Sequence, residues 1–310
     1  MKIDKLICLD FNGNELDSQE WDQIDTIVGS RVLEKKELLN NLDCEVLFVK
    51  LGAKVDKDLM DKLPNLKYIG MLGTGYGGID VKYATSRGIT VTNIADYATE
   101  GVAEFTFAIL LEYLRDISKA KAQAKNGNYS DDFSGSEIKG KKFGVIGLGN
   151  IGQRTAELAQ AFGTDVSYWS KNRKPESENK GMKYAEIDEI LANSDIITLN
   201  LEYNPKTERI ISSHRIKLIK KGAVFINPSP MELIDFDPLV ERLKHEDITF
   251  LLDHSDEMTG DQLEILRPID NAIIYPPIAY LTKEATQLKK RIFVDNLKNF
   301  LASSPTNKVN

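Results

Sequence analysis

Residues 143–152 read Phe143-Gly144-Val145-Ile146-Gly147-Leu148-Gly149-Asn150-Ile151-Gly152. An apolar run typical of a buried strand passes into Gly-x-Gly-x-x-Gly, and residues 153–159 continue with a helical pattern. We expect Gly147 to permit a tight turn, Gly149 to let a pyrophosphate approach the backbone, and Gly152 to let helix and strand pack closely. Because a helix start offers free N–H donors to anions, this order predicts a dinucleotide site that includes Asn150 and Ile151. The alternative is a tight strand-to-helix turn that binds nothing.

The composition limits the possible functions. The chain has 310 residues, enough for two domains, with a hydrophobic fraction of 42% and a charged fraction of 28%. Its net charge of -7 argues against nucleic acid as the main partner. Cys8 and Cys44 fall in apolar runs, so we expect buried free thiols in a reducing cytoplasm. Without a signal-peptide pattern or a bilayer-length apolar run, no membrane partner is expected, and no metal site is predicted.

Strand-like and helix-like runs alternate along the chain, which is typical of parallel α/β architecture. We expect two doubly wound parallel-sheet domains. A flavodoxin-like substrate domain would comprise residues 1–100 plus 284–310, and a Rossmann cofactor domain residues 101–283. Residues 101–124 are predicted to form one long helix that bridges domains or packs on a second subunit. The predicted strands are 6–9, 26–28, 44–49, 68–72 and 90–92, then 143–146, 165–169, 196–199, 223–226, 249–252 and 272–275.

The end of the second strand of the cofactor domain distinguishes NAD from NADP. An acidic residue about 20 positions beyond the glycines would bind the ribose 2′-OH of NAD. This chain instead places Ser170, Lys171, Asn172 and Arg173 there. A hydroxyl, an ammonium, an amide and a guanidinium suit a dianionic phosphate, so the sequence predicts NADP(H) in preference to NAD(H). The alternative is a solvated basic loop.

Several stretches together resemble the D-isomer-specific 2-hydroxyacid dehydrogenases. They are 66–70, 73–80, 97–104, 195–211, 221–227 and 251–253. The resemblance implies a nicotinamide cofactor, a small carboxylate-like substrate and a homodimer.

The resemblance also implies roles for particular residues. The substrate carboxylate would bind the backbone of Gly73, Thr74 and Gly75. Asp253 would meet the nicotinamide carboxamide. The remaining cofactor contacts would be Thr207, Asn227 and Pro228. Where the family usually has Asp-Asn, this chain has Gly77-Gly78, so a looser substrate loop is expected.

The chain departs from the family at its three catalytic positions. Pro230 stands in the place of the arginine, Pro277 in the place of the histidine, and Met258 in the place of the glutamate. Proline has neither a proton to donate nor a charge to orient a carboxylate. Reduction of a 2-oxo acid by the family's own mechanism is therefore not expected.

Three other residues are candidates for proton transfer. His254 follows Asp253 directly, and histidine is the side chain that ordinarily gains and loses a proton near neutral pH. The alternative is a solvent-facing loop histidine. Tyr275 and Tyr280 flank the second proline position, and a tyrosine can donate a proton when its pKa is lowered. Packing is the alternative role of both tyrosines.

Two functions fit these observations. The first is an NADP(H)-dependent oxidoreductase with a non-standard active site, acting on a hydroxy or oxo acid-like substrate that needs a different acid or none. The second is a catalytically silent NADP(H)-binding sensor or scaffold. A complete nicotinamide pocket has little use without redox chemistry, so the first is favoured.

Overall fold

The computed structural model describes residues 3–35, 40–50 and 52–310. The chain forms two compact units, Met1–Tyr97 with Lys283–Asn310, and Ala98–Thr282. Each unit contains one sheet in which every described strand pair is parallel. The strands are β1 Ile3–Leu9, β2 Val28–Glu34, β3 Val46–Val49, β4 Tyr68–Met71, β5 Thr90–Thr92, β6 Lys142–Ile146, β7 Asp165–Trp169, β8 Lys183–Tyr184, β9 Ile196–Leu199, β10 Val224–Asn227, β11 Thr249–Leu252 and β12 Ala272–Ile274.

The helices alternate with these strands, as a parallel sheet requires. They are α1 Ser18–Asp25, α2 Lys57–Asp61, α3 Val81–Ser86, α4 Thr99–Arg115, α5 Ile117–Lys125, α6 Asn150–Ala161, α7 Pro175–Glu178, α8 Ile187–Asn193, α9 Ser213–Leu218, α10 Phe236–Leu243, α11 Gly260–Leu266 and α12 Lys283–Leu301. No helix of the described residues is long and apolar enough to cross a membrane.

The sheet of the first unit has the order β2-β1-β3-β4-β5, which is the flavodoxin-like order. Both of its faces are covered. Leu6 and Cys8 pack into the cluster that contains Phe293 of α12, whereas Ile7 and Leu9 pack into the cluster on the opposite face. A strand buried on both faces needs an unbroken apolar run rather than an alternating one. The predicted flavodoxin-like fold is confirmed.

The sheet of the second unit has the order β12-β11-β10-β9-β6-β7-β8. The strand order reverses between β6 and β9, as in the Rossmann fold, so the second predicted fold is also confirmed. One strand was missed in the prediction. The two-residue β8 at the sheet edge is too short to carry a sequence pattern.

The long helix predicted over residues 101–124 is wrong, because two helices occupy this segment. Helix α4 ends at Arg115, α5 begins at Ile117, and Asp116 between them has a φ of 51°. Aspartate is one of the few residues that adopt this left-handed conformation readily. The hydrophobic pattern continues across the break, which is why the sequence concealed it. The homodimer that this helix was expected to support stays a prediction.

A second error concerns the first unit. The strand predicted at residues 26–28 begins at Val28 and extends to Glu34. The residues of this strand are buried only at its two ends, and the five between them are exposed or half-buried, as expected for the strand at the edge of this sheet. An edge strand lacks the continuous apolar run by which the central strands were found.

Candidate functional site

The glycine turn after β6 has the geometry of a dinucleotide cradle. Gly147 has a φ of +102°, and a Cβ at this position would lie 2.2 Å from the backbone oxygen of Asn200. A Cβ on Gly152 would lie 1.9 Å from the oxygen of Gly147, so both positions require glycine. A Cβ on Gly149 would meet no atom within 4 Å. The turn is therefore closed toward the protein at two glycines and open at the third.

The open side of this turn coincides with the start of helix α6. Gly149 is the N-cap, and the first turn of the helix contains Asn150, Ile151 and Gly152 and no acidic residue. The first N–H groups of a helix lack intrahelical acceptors and attract anions. This backbone can hold a pyrophosphate at the position where Gly149 leaves room, so the residues fit a dinucleotide.

A cavity of about 560 Å³ opens over this turn. Its floor is formed by Gly147, Leu148 and Gly149, and its walls come from the loops that follow β7 and β9. The wall residues are Trp169, Ser170, Lys171, Asn172, Lys174, Asn200, Leu201, Glu202, Asn204, Lys206, Thr207 and Ile210. The cavity therefore lies at the carboxyl ends of parallel strands, beside the point where the strand order reverses. Ligands of this fold class bind there.

Asn200 is a wall residue that the sequence analysis did not select. Its Nδ2 donates to the Thr198 hydroxyl over 3.2 Å, while its Oδ1 is buried and accepts no hydrogen bond from the described residues. A buried amide oxygen without a donor costs free energy, so it suits a ligand hydroxyl or amide. The sequence could not show that the Asn200 Oδ1 lacks a donor, because this depends on which neighbours surround the side chain in the fold.

The basic loop after β7 is only partly arranged as predicted. Ser170 is buried, and its hydroxyl donates to the Asn172 carbonyl over 2.5 Å. The Nε and Nη2 groups on one edge of the Arg173 guanidinium donate to the two oxygens of the Glu178 carboxylate, and the guanidinium carbon lies 5.2 Å from the centre of the Tyr184 ring. Arg173 is also absent from the cavity lining. Its positive charge is already neutralised, which argues against its predicted role at the 2′-phosphate.

Lysines provide the positive charge that reaches the cavity. Lys171 and Lys174 line it from the β7 loop, and Lys206 lines it from the loop after β9. Lys206 lies 32 positions beyond Lys174 in the sequence, so its contribution could not be inferred from the basic run alone. Glu202 is the one carboxylate in the described lining. Three lysines against one carboxylate leave the lining with a net positive charge, which favours an anion.

Two of the predicted cofactor contacts have mainly structural bonds. The Thr207 hydroxyl donates to Glu202 and accepts from the Asn204 amide, which fixes the loop around the cavity wall. Asn227 is fully buried at the end of β10, where its amide contacts Met231 and accepts from Ser229. Asn227 therefore shapes the turn at Pro228, and a contact of its side chain with the cofactor is not supported.

Asp253, at the end of β11, joins two strand-end loops. It is 2% exposed, and its Oδ1 accepts hydrogen bonds from the backbone of Ile278 at 3.1 Å and Ala279 at 3.2 Å. Burial raises the pKa of this carboxyl, and the two hydrogen bonds partly oppose the rise. The carboxylate thus holds the loop that contains Pro277, in addition to its predicted role at the nicotinamide.

The structure argues against Tyr275 as a proton donor. Its hydroxyl donates to the Glu112 carboxylate of α4 over 2.9 Å, and burial together with that carboxylate raises its pKa. Tyr275 lines a separate cavity with Glu112, Asp116 and Asp195 and is absent from the one at the glycine turn. A tyrosine that donates efficiently near neutral pH needs the opposite shift.

The two other candidate proton donors stay predictions. His254 is half-buried and directly follows Asp253, at the start of a short 3-10 helix. Tyr280 is half-buried in the loop that follows Ala279. Both belong to strand-end loops of the second unit, so their sequence-based placement is compatible with a reaction site.

The predicted carboxylate loop belongs to the first unit and follows β4. Thr74 donates its hydroxyl to the Ile94 carbonyl over 2.8 Å, and Asn93 donates its side-chain amide to the Thr74 carbonyl over 2.8 Å. Gly75 is exposed and Gly73 is buried. The loop is therefore anchored to the segment after β5, with its tip accessible.

The expectation that Gly77-Gly78 loosens this loop is wrong at Gly78. A Cβ there would lie 2.3 Å from the Ala53 carbonyl oxygen, and the Gly78 carbonyl accepts from the Val55 amide over 2.8 Å. Gly78 permits a close backbone contact that fixes the loop. The looser loop was expected because glycine has the most backbone freedom in the unfolded chain. In the folded chain, the close contact with Ala53 removes that freedom at Gly78.

The two proline positions lie in well-defined turns. Pro230 precedes a 3-10 helix at Met231–Leu233, where it occupies the N-cap position. Pro277 precedes the two residues whose amides bond to Asp253. Neither turn provides an ionisable side chain at the proline itself, and the predicted loss of the family's catalytic charges at these positions stays a prediction.

Comparison with known proteins places these observations in context. The family model described as the NAD binding domain of D-isomer specific 2-hydroxyacid dehydrogenases matches residues 107–279. A protein of Staphylococcus aureus (strain MRSA252), provisionally named as a 2-hydroxyacid dehydrogenase, is 33% identical over 280 residues, which cover 88% of each chain. A relative from Staphylococcus haemolyticus (strain JCSC1435) with the same provisional name is 32% identical over 294 residues, 93% of this chain and 92% of the relative.

Two solved structures are similar over almost the entire chain. One is D-lactate dehydrogenase from Aquifex aeolicus in complex with NAD and lactic acid, with a TM-score of 0.84, 27% identity and coverage of 96% of each chain. The other is the acyclic imino acid reductase Bsp5 in complex with NADPH and D-Arg, with a TM-score of 0.85 and 29% identity. That match covers 99% of this chain and 100% of the other.

Proposed function

Because this chain belongs to the D-isomer-specific 2-hydroxyacid dehydrogenase family, we propose that it is an NADP(H)-dependent reductase whose substrate is an imino acid. Family membership makes it a nicotinamide-binding oxidoreductase of the 2-hydroxyacid dehydrogenase type. The preference for NADP(H) and the imino acid substrate go beyond the family. They rest on the cavity lysines and on the two prolines, respectively.

The chain's own backbone would hold the cofactor. The turn from Gly147 to Gly152 and the start of α6 would bind the pyrophosphate, and the Asn200 Oδ1 would accept a hydrogen bond from a ribose hydroxyl or an amide. Ser170 and the cavity lysines would surround a 2′-phosphate. When bound, the nicotinamide supplies a hydride to the substrate.

The prolines are the observation that carries the substrate assignment. Reduction of a carbonyl creates an alkoxide, which needs a proton donor, and removing such a donor typically slows a reaction by 10²–10⁴-fold. Pro230 and Pro277 leave the usual donor and its orienting cation out of this chain.

A protonated imine has different requirements. Its carbon accepts a hydride, the electron pair of the C=N π bond moves to nitrogen, and the product is a neutral amine without an intervening anion. No proton donor is required at the moment of transfer. The acyclic imino acid reductase among the similar structures was solved with NADPH, which supports the same substrate class and cofactor for this chain.

The test compares oxo acids with and without an amine. NADPH consumption is followed with pyruvate, 2-oxoglutarate or glyoxylate, each alone and each with methylamine, alanine or arginine, and products are identified by mass spectrometry. We expect turnover only when an amine is present, with a secondary amino acid as product. Efficient reduction of an oxo acid alone would contradict the imino acid assignment.

A second measurement separates the other outcomes. NADPH should raise the melting temperature, since a ligand that binds only the native state stabilises it. Stabilisation without turnover of any pair would favour a silent nucleotide-binding protein. Absence of both would contradict the cofactor assignment itself.

A further inference from the structure

A half-buried lysine lies in the first unit without a described counter-charge. Lys289 is in α12, and its ammonium nitrogen lies 5.4 Å from the centre of the Tyr97 ring. Burial lowers the pKa of Lys289, and no carboxylate opposes that effect. A cation that has lost water without gaining an anion is a costly arrangement, which natural structures rarely keep without a use.

The surroundings of Lys289 in the sequence explain the missing partner. The residues one helical turn away are Ala285, Thr286, Ile292 and Phe293, none of which can form an ion pair. The neighbouring Lys290 differs, because its ammonium lies 2.8 Å from the Asp17 carboxylate. Among the described residues no carboxylate forms an ion pair with Lys289. The two adjacent lysines therefore separate into one that is paired within the protein and one that is not.

Helix α12 connects Lys289 to the predicted carboxylate loop. Asn296 lies seven residues beyond Lys289 and thus on the same helix face. Its Nδ2 donates to the Asn93 carbonyl over 2.8 Å, and the Asn93 amide in turn donates to the Thr74 carbonyl over 2.8 Å. This chain of hydrogen bonds fixes the helix face to the loop that contains Gly73 and Gly75.

The segment that meets Lys289 belongs to the same edge of the sheet. Tyr97 follows β5 by five residues, and the carboxylate loop follows β4, the strand paired with β5. Lys289, Tyr97 and the loop at Gly73–Gly75 are therefore all placed at the carboxyl edge of β4 and β5.

We propose that Lys289 binds the substrate's carboxylate together with the backbone of the loop at Gly73–Gly75. The lysine would thereby give the substrate carboxylate a positive charge in a chain that is expected to lack the family's arginine. This inference rests on the proposed function, in that it assumes a carboxylate substrate for the same reductase. The alternative is a structural contact in which the lysine stem and ammonium only pack on the Tyr97 ring.

The test uses oxamate, an unreactive analogue of a small 2-oxo acid, and the full-length protein saturated with NADPH. Oxamate affinity is measured by calorimetry for the wild type, Lys289→Met, Lys289→Arg and Lys290→Met. Methionine keeps most of the apolar stem of lysine and removes the charge. The affinity for NADPH is measured separately in each protein, since the proposed cofactor residues all lie in the second unit.

We expect Lys289→Met to weaken oxamate by about 10- to 100-fold, the effect of losing one charge-assisted hydrogen bond. Lys289→Arg should recover part of this loss, and Lys290→Met should bind like the wild type. In turnover of the oxo acid and amine pair that the test of the proposed function identifies, Lys289→Met should raise KM for the acid more than it lowers kcat. NADPH affinity should stay unchanged throughout.

Several results would overturn this inference and leave the proposed function intact. One is equal oxamate affinity in the wild type and Lys289→Met while both bind NADPH. Another is a wild type that binds NADPH but not oxamate. Equal losses in Lys289→Met and Lys289→Arg would indicate packing rather than charge, and would also overturn it. If NADPH itself does not bind the wild type, the proposed function fails first.

Discussion

The glycine turn after β6 and the two proline turns after β10 and β12 lie in the same unit, yet they differ in what they retain. At the glycine turn, the positions that exclude a side chain are all glycine, and the open position is left clear. At the proline turns, we expect Pro230 and Pro277 to stand at the positions where the family has an arginine and a histidine. The backbone therefore fits a dinucleotide, whereas the replacement of the reactive side chains stays a prediction.

This contrast shows which part of the activity each region controls. A backbone cradle binds any dinucleotide through N–H groups and needs only glycines and a helix start. The chemistry needs particular ionisable groups at particular strand ends. A chain can thus keep its cofactor and change its substrate, which is what we propose for this protein from the expected replacement of the donors by prolines.

The largest expected effect is at the glycine turn. Gly152→Ala places a Cβ 1.9 Å from the Gly147 oxygen, so we expect a loss of more than about 2 kcal/mol in the free energy of unfolding and no measurable NADPH binding. Denaturant unfolding and calorimetry check the two effects. Gly149→Ala is the matched control, because its Cβ meets no atom within 4 Å.

Gly149→Ala should change stability by less than about 0.5 kcal/mol and still weaken NADPH at least about tenfold, because the new methyl group occupies the space of the pyrophosphate. Normal NADPH affinity in Gly149→Ala would place the cofactor elsewhere. The glycine turn could then no longer be regarded as the cofactor site in this comparison.

The next effect concerns the proline turns. The double variant Pro230→Arg with Pro277→His restores an orienting cation and a proton donor, so we expect reduction of pyruvate alone to rise by about 100-fold. Steady-state NADPH consumption measures the gain. Pro276→His in place of Pro277→His is the control, since it adds the same side chain one position away. A folded double variant without any gain would show that more than these two residues separates this chain from its relatives.

A smaller effect is expected at the 2′-phosphate. Lys171→Ala and Lys206→Ala should each weaken NADPH by about fivefold and leave NADH unchanged, because each removes one lysine that lines the cavity. Arg173→Ala should have less effect, since Glu178 already neutralises that guanidinium. Calorimetric titration of each variant with NADPH and with NADH measures these affinities. A larger loss in Arg173→Ala than in Lys206→Ala would restore the assignment made from the sequence.

The smallest effect is expected at Tyr275. Tyr275→Phe removes the hydrogen bond to Glu112, so the free energy of unfolding should fall by about 1 kcal/mol. Turnover should not change, because the hydroxyl faces α4. The raised pKa keeps Tyr275 protonated at neutral pH, so the difference in stability should be the same throughout the neutral range and change only at alkaline pH. A large fall in kcat in Tyr275→Phe would indicate that Tyr275 is the proton donor after all.

The central features of the fold were predictable from residue patterns. The strands β6, β9 and β11 are buried on both faces apart from Lys142, and such strands are visible in sequence because nearly every residue is apolar. The edge strand β8 and the break at Asp116 were not predicted, and the strand predicted at residues 26–28 overlaps β2 only at Val28. Edge strands have mixed exposure, and a left-handed aspartate leaves the hydrophobic pattern around it intact.

The candidate site was predicted unevenly for the same kind of reason. The glycines and the missing donors are properties of single positions, so the sequence alone indicated them. The roles of Lys206, Asn200 and Lys289 depend on neighbours that lie far away along the chain. The role of Arg173 stays a prediction, and its bond to Glu178, five residues later, argues against it.

The amino-acid sequence by itself determined that two parallel α/β domains form and that a glycine turn of the dinucleotide-binding type follows β6, and it predicted that two prolines displace the family's reactive residues. These are consequences of side-chain type and spacing along the chain. Only the tertiary structure decided which cations remain without partners, which hydroxyl faces which helix, and which glycine is fixed by a close contact. Those outcomes depend on distances between distant segments, and electrostatic and steric energies are set by such distances.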